Sequence, residues 1–148
     1  MSQRSQTNTQ SSPSRIALVI PVAPISTQKG TRSFVPPGTR KVVHYTDKKA
    51  TAFRSQIVEE SKHRAPKVPP EGPVHVDYQF FVECPKKYKG GEICAQKPDL
   101  TNLIKGVEDA LTKAGFWRDD KQVVSFSAEK RYAHGDLFPR IEVTITYL

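Results

Sequence analysis

The residues best suited to chemistry are acidic side chains gathered in one part of a basic chain. Residues 97–105 read KPDLTNLIK, and residues 118–122 read RDDKQ. Five of the 15 carboxylates lie in this part, which we call the acidic cluster: Asp99, Glu108, Asp109, Asp119 and Asp120. Carboxylates that lie close together repel one another unless a cation sits between them. Mg²⁺ and Mn²⁺ are bound by carboxylate and water oxygens, so the cluster is a candidate site for one of these ions.

A metal ion at the acidic cluster would suit the hydrolysis of a phosphodiester bond. Such an ion can activate water or stabilise the leaving oxygen, and Lys105 could neutralise charge on the transition-state phosphate. The alternative is purely structural: Asp99 caps a helix, Asp109 pairs with a lysine four residues away, and Asp119–Asp120 form a turn. The pattern of residues leaves both interpretations open.

The spacing of apolar residues predicts a helix over residues 99–114, with Asp99 as N-cap and Gly115 just beyond its end. An apolar stripe at helical spacing is expected to join the core: Leu100, Leu103, Ile104, Val107, Leu111 and Ala114. A second, polar sector lies well away from this stripe: Thr101, Lys105, Glu108 and Thr112. Residues 116–120 leave the helix and can fold back beside it.

The rest of the chain predicts a small α+β domain with a mostly antiparallel mixed sheet and two main helices. Residues 1–15 are expected to form a disordered N-terminal arm, and residues 16–148 the folded domain. The remaining elements are strands over 15–22, 42–45 and 74–84, a helix over 46–63, and strands over 122–132 and 140–148. The turn at 133–139 is expected to join the last two strands as a hairpin.

The charge of the chain favours a polyanionic partner. Lys and Arg number 23 against 15 Asp and Glu, which gives a net charge of +8 and a pI near 9.6. Residues 29–64 hold nine basic and three acidic residues, a net charge of +6. These positive charges follow a long loop at 23–41 and the helix after it. They predict either contacts to nucleic-acid phosphates or a solvated surface.

Several classes of protein are disfavoured by the sequence. No apolar run approaches the roughly 18–20 residues that a membrane span requires, and residues 1–15 have no apolar segment typical of a secretory signal. Cys84 and Cys94 have neither CxxC spacing nor a neighbouring His cluster, so we expect free thiols in a reducing cytoplasm.

Residues 97–132, KPDLTNLIKGVEDALTKAGFWRDDKQVVSFSAEKRY, resemble the RusA family of Holliday junction resolvases, which are small phage and prophage endonucleases. The family pattern is Asp-x-Asp-Asn-Leu, a lysine three residues on, Asp-Ala-Leu, and then Asp-Asp-x-Gln-Val leading into a strand. The earlier part of the chain fits the family loosely, and residues 1–15 fall outside it.

The resemblance implies roles for individual residues. It assigns Asp99, Lys105 and Asp120 to catalysis, and it assigns the metal to four side chains: Asp99, Thr101, Asp119 and Asp120. Asn102 and Asp109 match supporting positions of the motif. Thr101 departs from the pattern, which has a second catalytic aspartate there. Glu108, two turns along the same face, is a candidate to compensate for the missing charge.

The resemblance also implies a Mg²⁺- or Mn²⁺-dependent homodimer that binds four-way DNA junctions in the host-cell cytoplasm and makes paired nicks. A junction has near two-fold symmetry, so a two-fold dimer can present one active site to each cut strand. Two basic loops are the predicted DNA-binding surface: Lys29, Arg32, Arg40 and Lys41 in the first, and Lys86, Lys87 and Lys89 in the second. The alternative is a homologue that binds branched DNA and cleaves it weakly or not at all, because Thr101 replaces an aspartate.

Overall fold

Two main helices and a set of β-strands account for most of the described fold. The computed structural model describes residues 14–25, 31–35, 37–38, 40, 43–46, 48–135 and 137–148. The strands are β1 (Arg15–Ile20), β2 (Thr31–Phe34), β3 (Val43–Thr46), β4 (Val74–Val82), β5 (Val123–Tyr132) and β6 (Arg140–Tyr147). The helices are α1 (Lys48–Ser61) and α2 (Leu100–Ala114), with 3₁₀ turns at Lys62–Arg64 and Asp120–Gln122. The predicted α+β class and both main helices are confirmed.

Four strands form the main sheet, in the order β1-β6-β4-β5. β6 pairs antiparallel with β1 and with β4, whereas β5 pairs parallel with β4. β2 and β3 form a separate antiparallel pair. β4 is a central strand whose side chains alternate strictly between buried and half-buried, as its sequence pattern predicts.

The predicted hairpin between the last two strands is wrong, because β4 lies between them. The connection from the end of β5 to the start of β6 therefore passes from one side of β4 to the other. This is a distance of about two strand spacings of 4.8 Å. The reason is burial: β6 buries Ile141, Val143 and Ile145 and takes a central place in the sheet, whereas β5 has more exposed positions and lies at an edge. Two strands that follow one another in the sequence need not be neighbours in the sheet.

The predicted long loop over residues 23–41 is also corrected, since it contains β2. Proline, glycine and basic residues around β2 are typical of a loop, so the local pattern did not predict this short strand. Its pairing with β3 depends on residues outside the loop. The predicted strand over 42–45 is β3, shifted by one residue. The predicted arm over residues 1–15 overlaps β1 at Arg15, and its residues 1–13 lie outside the described part of the chain.

Both helices pack on one face of the main sheet and share one apolar core with it. The predicted stripe of α2 is confirmed: Leu103, Ile104, Val107 and Leu111 are buried, while Leu100 and Ala114 pack at its margin. Phe116 and Trp117, just after α2, are fully buried. This packing fixes the direction of α2 against the sheet and therefore the positions of the residues at its two ends.

Candidate active site

Asp99 lies at the start of α2 with its carboxylate exposed to solvent. Its backbone is extended (φ −65°, ψ 132°) in the N-cap position, and its side chain makes no capping hydrogen bond to the helix. Instead the amide of Asn102 donates to the Asp99 carboxylate, Nδ2 to Oδ2, at 3.3 Å. The positive end of the helix dipole favours a negative charge here. Asp99 is therefore a preoriented carboxylate that is still accessible to a ligand.

Thr101 and Lys105 follow Asp99 on the first turns of α2, and both side chains are exposed. They are four residues apart, so they lie on the same face of the helix. The predicted polar sector continues through half-buried Glu108 to Thr112, whose hydroxyl accepts a hydrogen bond from Trp117 Nε1 at 2.6 Å. Thr112 thus stabilises the end of the helix, while Thr101 and Lys105 remain open to solvent on its N-terminal half.

Lys130, which the sequence did not single out, anchors the segment that leads into Asp99. Its Nζ donates to the backbone oxygen of Pro98 at 2.6 Å and also to that of Gln96. A cation from β5 therefore lies beside the N-terminal end of α2. Lys130 is remote from Pro98 in sequence and lies in a segment with the pattern of an ordinary strand. No local feature of the sequence therefore indicates this contact.

The second basic loop is attached at this same end of β5. Cys94 N donates to Lys130 O at 2.9 Å, and Gly91 N donates to Tyr132 O at 2.8 Å. Tyr88 stacks on Tyr132 with 4.6 Å between the ring centroids. The loop carries three exposed lysines that the sequence assigned to DNA binding: Lys86, Lys87 and Lys89. The fold thus brings these cations to the end of the domain that holds Asp99.

The first basic loop is described only in part. Arg40 is exposed, and for Arg32 the structure describes the backbone, in β2. Lys29 and Lys41 lie outside the described residues. The assignment of this loop to DNA binding stays a prediction.

Asp119 and Asp120 lie at the opposite end of α2. Asp119 caps the 3₁₀ turn at Asp120–Gln122: its Oδ1 accepts from Lys121 N at 3.0 Å, which holds the pKa of Asp119 below its usual range. The buried Gln122 side chain donates to the backbone oxygens of Pro70 and Gly72 at 2.8 and 2.9 Å. These bonds fix the turn just before β5 starts, far from Lys130.

Glu108 and Asp109, in the middle of α2, are closer to Asp120. Burial raises the pKa of Glu108, and the negative charges of Asp120 and Asp109 raise it further, while Lys105 opposes this effect. Glu108 therefore lies within electrostatic reach of Asp120. A rise of about 10 Å along the helix axis separates Glu108 from Thr101.

Within one chain, then, the acidic cluster divides into two groups. Asp99 and Thr101 lie at the N-terminal end of α2, a helix of 15 residues and about 22 Å. Glu108 and Asp109 lie on its other half, and Asp119 and Asp120 follow beyond its C-terminal end. β5 runs back from there towards Lys130. Among the described residues, no three His, Cys, Asp or Glu side chains are close enough together to hold one metal ion. Shared metal binding by Asp99 and Asp120 remains a prediction.

Two further predictions concern the whole chain. Cys84 and Cys94 are free thiols, as expected. No helix in the described part of the chain combines the length and apolar character of a membrane span.

An α+β domain that presents an exposed aspartate and lysine beside a basic loop has the features of a nuclease that acts on DNA. The chain belongs to the endodeoxyribonuclease RusA family, whose model matches residues 21–146. Members of this family are nucleases that hydrolyse phosphodiester bonds, and the match includes both basic loops and the acidic cluster. The family resemblance of residues 97–132 is thereby confirmed.

Relatives of modest identity include two proteins named as crossover junction endodeoxyribonucleases, as well as one protein whose name states no activity. The protein YqaN of Bacillus subtilis (strain 168) is 34% identical over 116 residues, 70% of this chain and 78% of that protein. The crossover junction endodeoxyribonuclease rusA of Lactococcus phage r1t is 34% identical over 74 residues, 50% of this chain and 54% of the phage protein. The crossover junction endodeoxyribonuclease RusA of Escherichia coli (strain K12) is 50% identical over 52 residues, 34% of this chain and 41% of that enzyme.

Proposed function

We propose that this chain is a Mg²⁺- or Mn²⁺-dependent endonuclease that resolves four-way DNA junctions by paired nicks in DNA recombination and repair. The observation that carries the proposal is the exposed Asp99 carboxylate at the positive end of α2, the helix that also carries exposed Lys105, in a chain that matches the family over residues 21–146. The relatives named as crossover junction endodeoxyribonucleases support branched DNA as the substrate.

The side chains at the candidate site suit a hard divalent cation. Every proposed ligand is an oxygen donor: Asp99, Thr101, Asp119 and Asp120. Carboxylate and hydroxyl oxygens are preferred by Mg²⁺ and Mn²⁺, and the Asp99 carboxylate makes no capping hydrogen bond to its helix. When bound, such an ion would supply Lewis-acid stabilisation of the charge that develops on the phosphate.

The other residues of the site position the DNA backbone. Lys105, one turn from Thr101, places an ammonium group where it can contact the phosphate beside Asp99. The lysines at 86, 87 and 89 are held at the same end of β5 and provide further phosphate contacts. Lys130 keeps the residues before Asp99 in place through its two backbone acceptors.

Paired nicks require two active sites that face two strands of like polarity. A two-fold homodimer supplies them, because its symmetry matches that of the junction. The dimer is therefore part of the proposed function.

A nicking assay on a synthetic four-way junction tests the function. The protein should nick the junction with Mg²⁺ or Mn²⁺, should not do so with EDTA, and should bind linear duplex more weakly in a gel shift. Asp99→Asn should lower the nicking rate by about 10²–10³-fold, because one charge-positioning group is removed, and should leave junction binding intact. Glu59→Gln, the same chemical change at an exposed position of α1, is the control.

Thr101 gives a specific reason for a second candidate, a junction-binding homologue that cleaves weakly or not at all. Selective junction binding without nicking at any metal concentration would establish that candidate. Equal binding of junction and linear duplex would exclude both.

A further inference from the structure

The connection between β5 and β6 exposes two large apolar side chains next to each other. Leu137 is 46% exposed and Phe138 is 56% exposed. Two backbone hydrogen bonds hold this connection: Ala133 N donates to the oxygen of Val82, and Leu137 N donates to the oxygen of His134, both at 2.8 Å. The ring of Phe138 is therefore presented to solvent from a segment whose backbone is bonded on either side of the turn.

Leu137 and Phe138 border a surface cavity of about 310 Å³. The cavity is also lined by exposed Glu83 and by Cys84, which precedes the second basic loop. A nucleobase has a flat π-face that stacks on aromatic rings and an edge whose amino groups donate to carboxylates. Phe138 and Glu83 supply these two partners. A phosphate would be repelled by the Glu83 carboxylate, so the cavity suits a base and not the DNA backbone.

The second basic loop packs directly on the same connection. A Cβ at Gly90 would lie 2.5 Å from His134 Cα, and a Cβ at Gly91 would lie 2.8 Å from Cε1 of the His134 ring. Both glycines have left-handed backbones, with φ 104° and 88°. Since Cys84 and His134 both line the cavity, the loop begins and ends beside it. Between these points the loop carries three exposed lysines: Lys86, Lys87 and Lys89.

The lysines and the apolar pair suit two different parts of one ligand. Lysines bind phosphates without regard to sequence, whereas Phe and Leu are among the side chains that proteins insert between bases. In a continuous duplex, neighbouring bases cover both faces of each base. At a branch point this stacking is interrupted, so a base face is accessible at a lower cost of unstacking. This surface also lies at the end of β5 where Lys130 holds the segment before Asp99.

We propose that Phe138, with Leu137 beside it, stacks on a base at the branch point of four-way DNA, while the lysines of the second basic loop hold the adjoining phosphates. The inference rests on the proposed function, because it names the feature of branched DNA that this chain recognises. Phe138 determines specificity in this proposal and takes no part in hydrolysis.

Junction binding without cleavage tests the stacking contact. In a gel shift with EDTA, Phe138→Ala should bind a synthetic four-way junction about tenfold more weakly than the wild type, the loss expected for one base-stacking contact. Its affinity for a linear duplex of the same length should change by less than about twofold, because the bases there are already stacked. Phe138→Trp should keep the wild-type affinity for the junction, whereas Phe138→Leu, which has no π-face, should lose most of the preference.

Val68→Ala is the matched control, because Val68 is an apolar side chain that is 69% exposed and lies outside this surface. Its affinity for both DNAs should equal that of the wild type. An unchanged junction affinity in Phe138→Ala, or an equal loss on junction and duplex, would overturn the proposal. An unchanged junction affinity together with altered sedimentation of the free protein would also overturn it, and would assign Phe138 to a contact between proteins.

Fluorescence of an aminopurine base at the branch point gives a readout that is independent of affinity. Aminopurine emits weakly while it is stacked between bases and more strongly when it leaves the stack. At concentrations that saturate the junction, the wild type should raise this emission and Phe138→Ala should raise it less. Equal emission with the two proteins would contradict the stacking contact alone. A wild type that binds junction and duplex equally would contradict both this inference and the proposed function.

Discussion

Thr101 is the position where this chain departs from the family pattern, and we expect its chemistry to set the affinity of the proposed site for a divalent cation. A hydroxyl can coordinate a cation or hold a water molecule, but it brings no negative charge. Its side chain is exposed one turn before Lys105. The site would therefore hold one carboxylate fewer than a site with the second aspartate.

Thr101→Asp should lower the Mg²⁺ concentration for half-maximal nicking by about tenfold, because an anionic ligand replaces a neutral one. Ser55→Asp, at an exposed position of α1, controls for the added charge alone. If Glu108 supplies the missing carboxylate, Glu108→Gln should be nearly inactive, and Thr101→Asp should rescue it. A metal titration that neither substitution shifts would place Thr101 outside the coordination sphere.

At the scale of elements, the end of α2 determines where Asp119 and Asp120 lie. Gly115 has a left-handed backbone (φ 96°, ψ 21°), and its N–H bonds to the carbonyls of Leu111 and Thr112. The chain then reverses and buries Phe116 and Trp117 before it reaches the turn at Asp119–Gln122. A residue that disfavours the left-handed conformation at position 115 would weaken the end of the helix. It would also displace Asp119 and Asp120.

Gly115→Ala should lower the free energy of unfolding by about 1–2 kcal/mol, since a Cβ is unfavourable in the left-handed region. Urea unfolding measures the change. Gly72→Ala is the matched control, because a Cβ at Gly72 would meet no atom closer than Leu148 O at 4.0 Å and the backbone there is not left-handed. If both alanine variants unfold at the same urea concentration, the Gly115 backbone is not what stabilises this end of α2.

At the scale of the whole molecule, charge governs the encounter with DNA. Junction affinity should fall by about 10³–10⁵-fold between 50 and 200 mM salt if 6–10 phosphates are contacted, because counterions are released on binding. Replacing either basic loop with alanines should flatten this dependence, by about 0.9 in log–log slope per lost contact. The two variants are Lys29, Arg32, Arg40 and Lys41 to Ala, and Lys86, Lys87 and Lys89 to Ala.

A control variant replaces two exposed lysines that lie outside these loops and outside residues 29–64: Lys67 and Lys113. Its slope should equal that of the wild type. A loop whose removal changes neither slope nor affinity is not part of the DNA-binding surface.

Local sequence patterns are sufficient to predict the limits of α2, the alternation of β4 and the apolar stripe that joins the core. These features depend on local chemistry: a glycine after the last turn of α2 and apolar residues at a fixed period. The same stretch, residues 97–132, carries the motif that marks the family. The prediction that Asp99 and Lys105 belong to the active site therefore depends on no tertiary contact.

The order of the strands and the contacts between charged groups depend on long-range packing. β6 lies between β1 and β4, and Lys130 reaches Pro98, because burial of the whole apolar face selects one arrangement of strands. The same arrangement places Asp120 beside Glu108 at one end of the domain and Asp99 at the other. Sequence spacing cannot specify such contacts, since strand pairing and helix direction depend on long-range packing and not on local pattern.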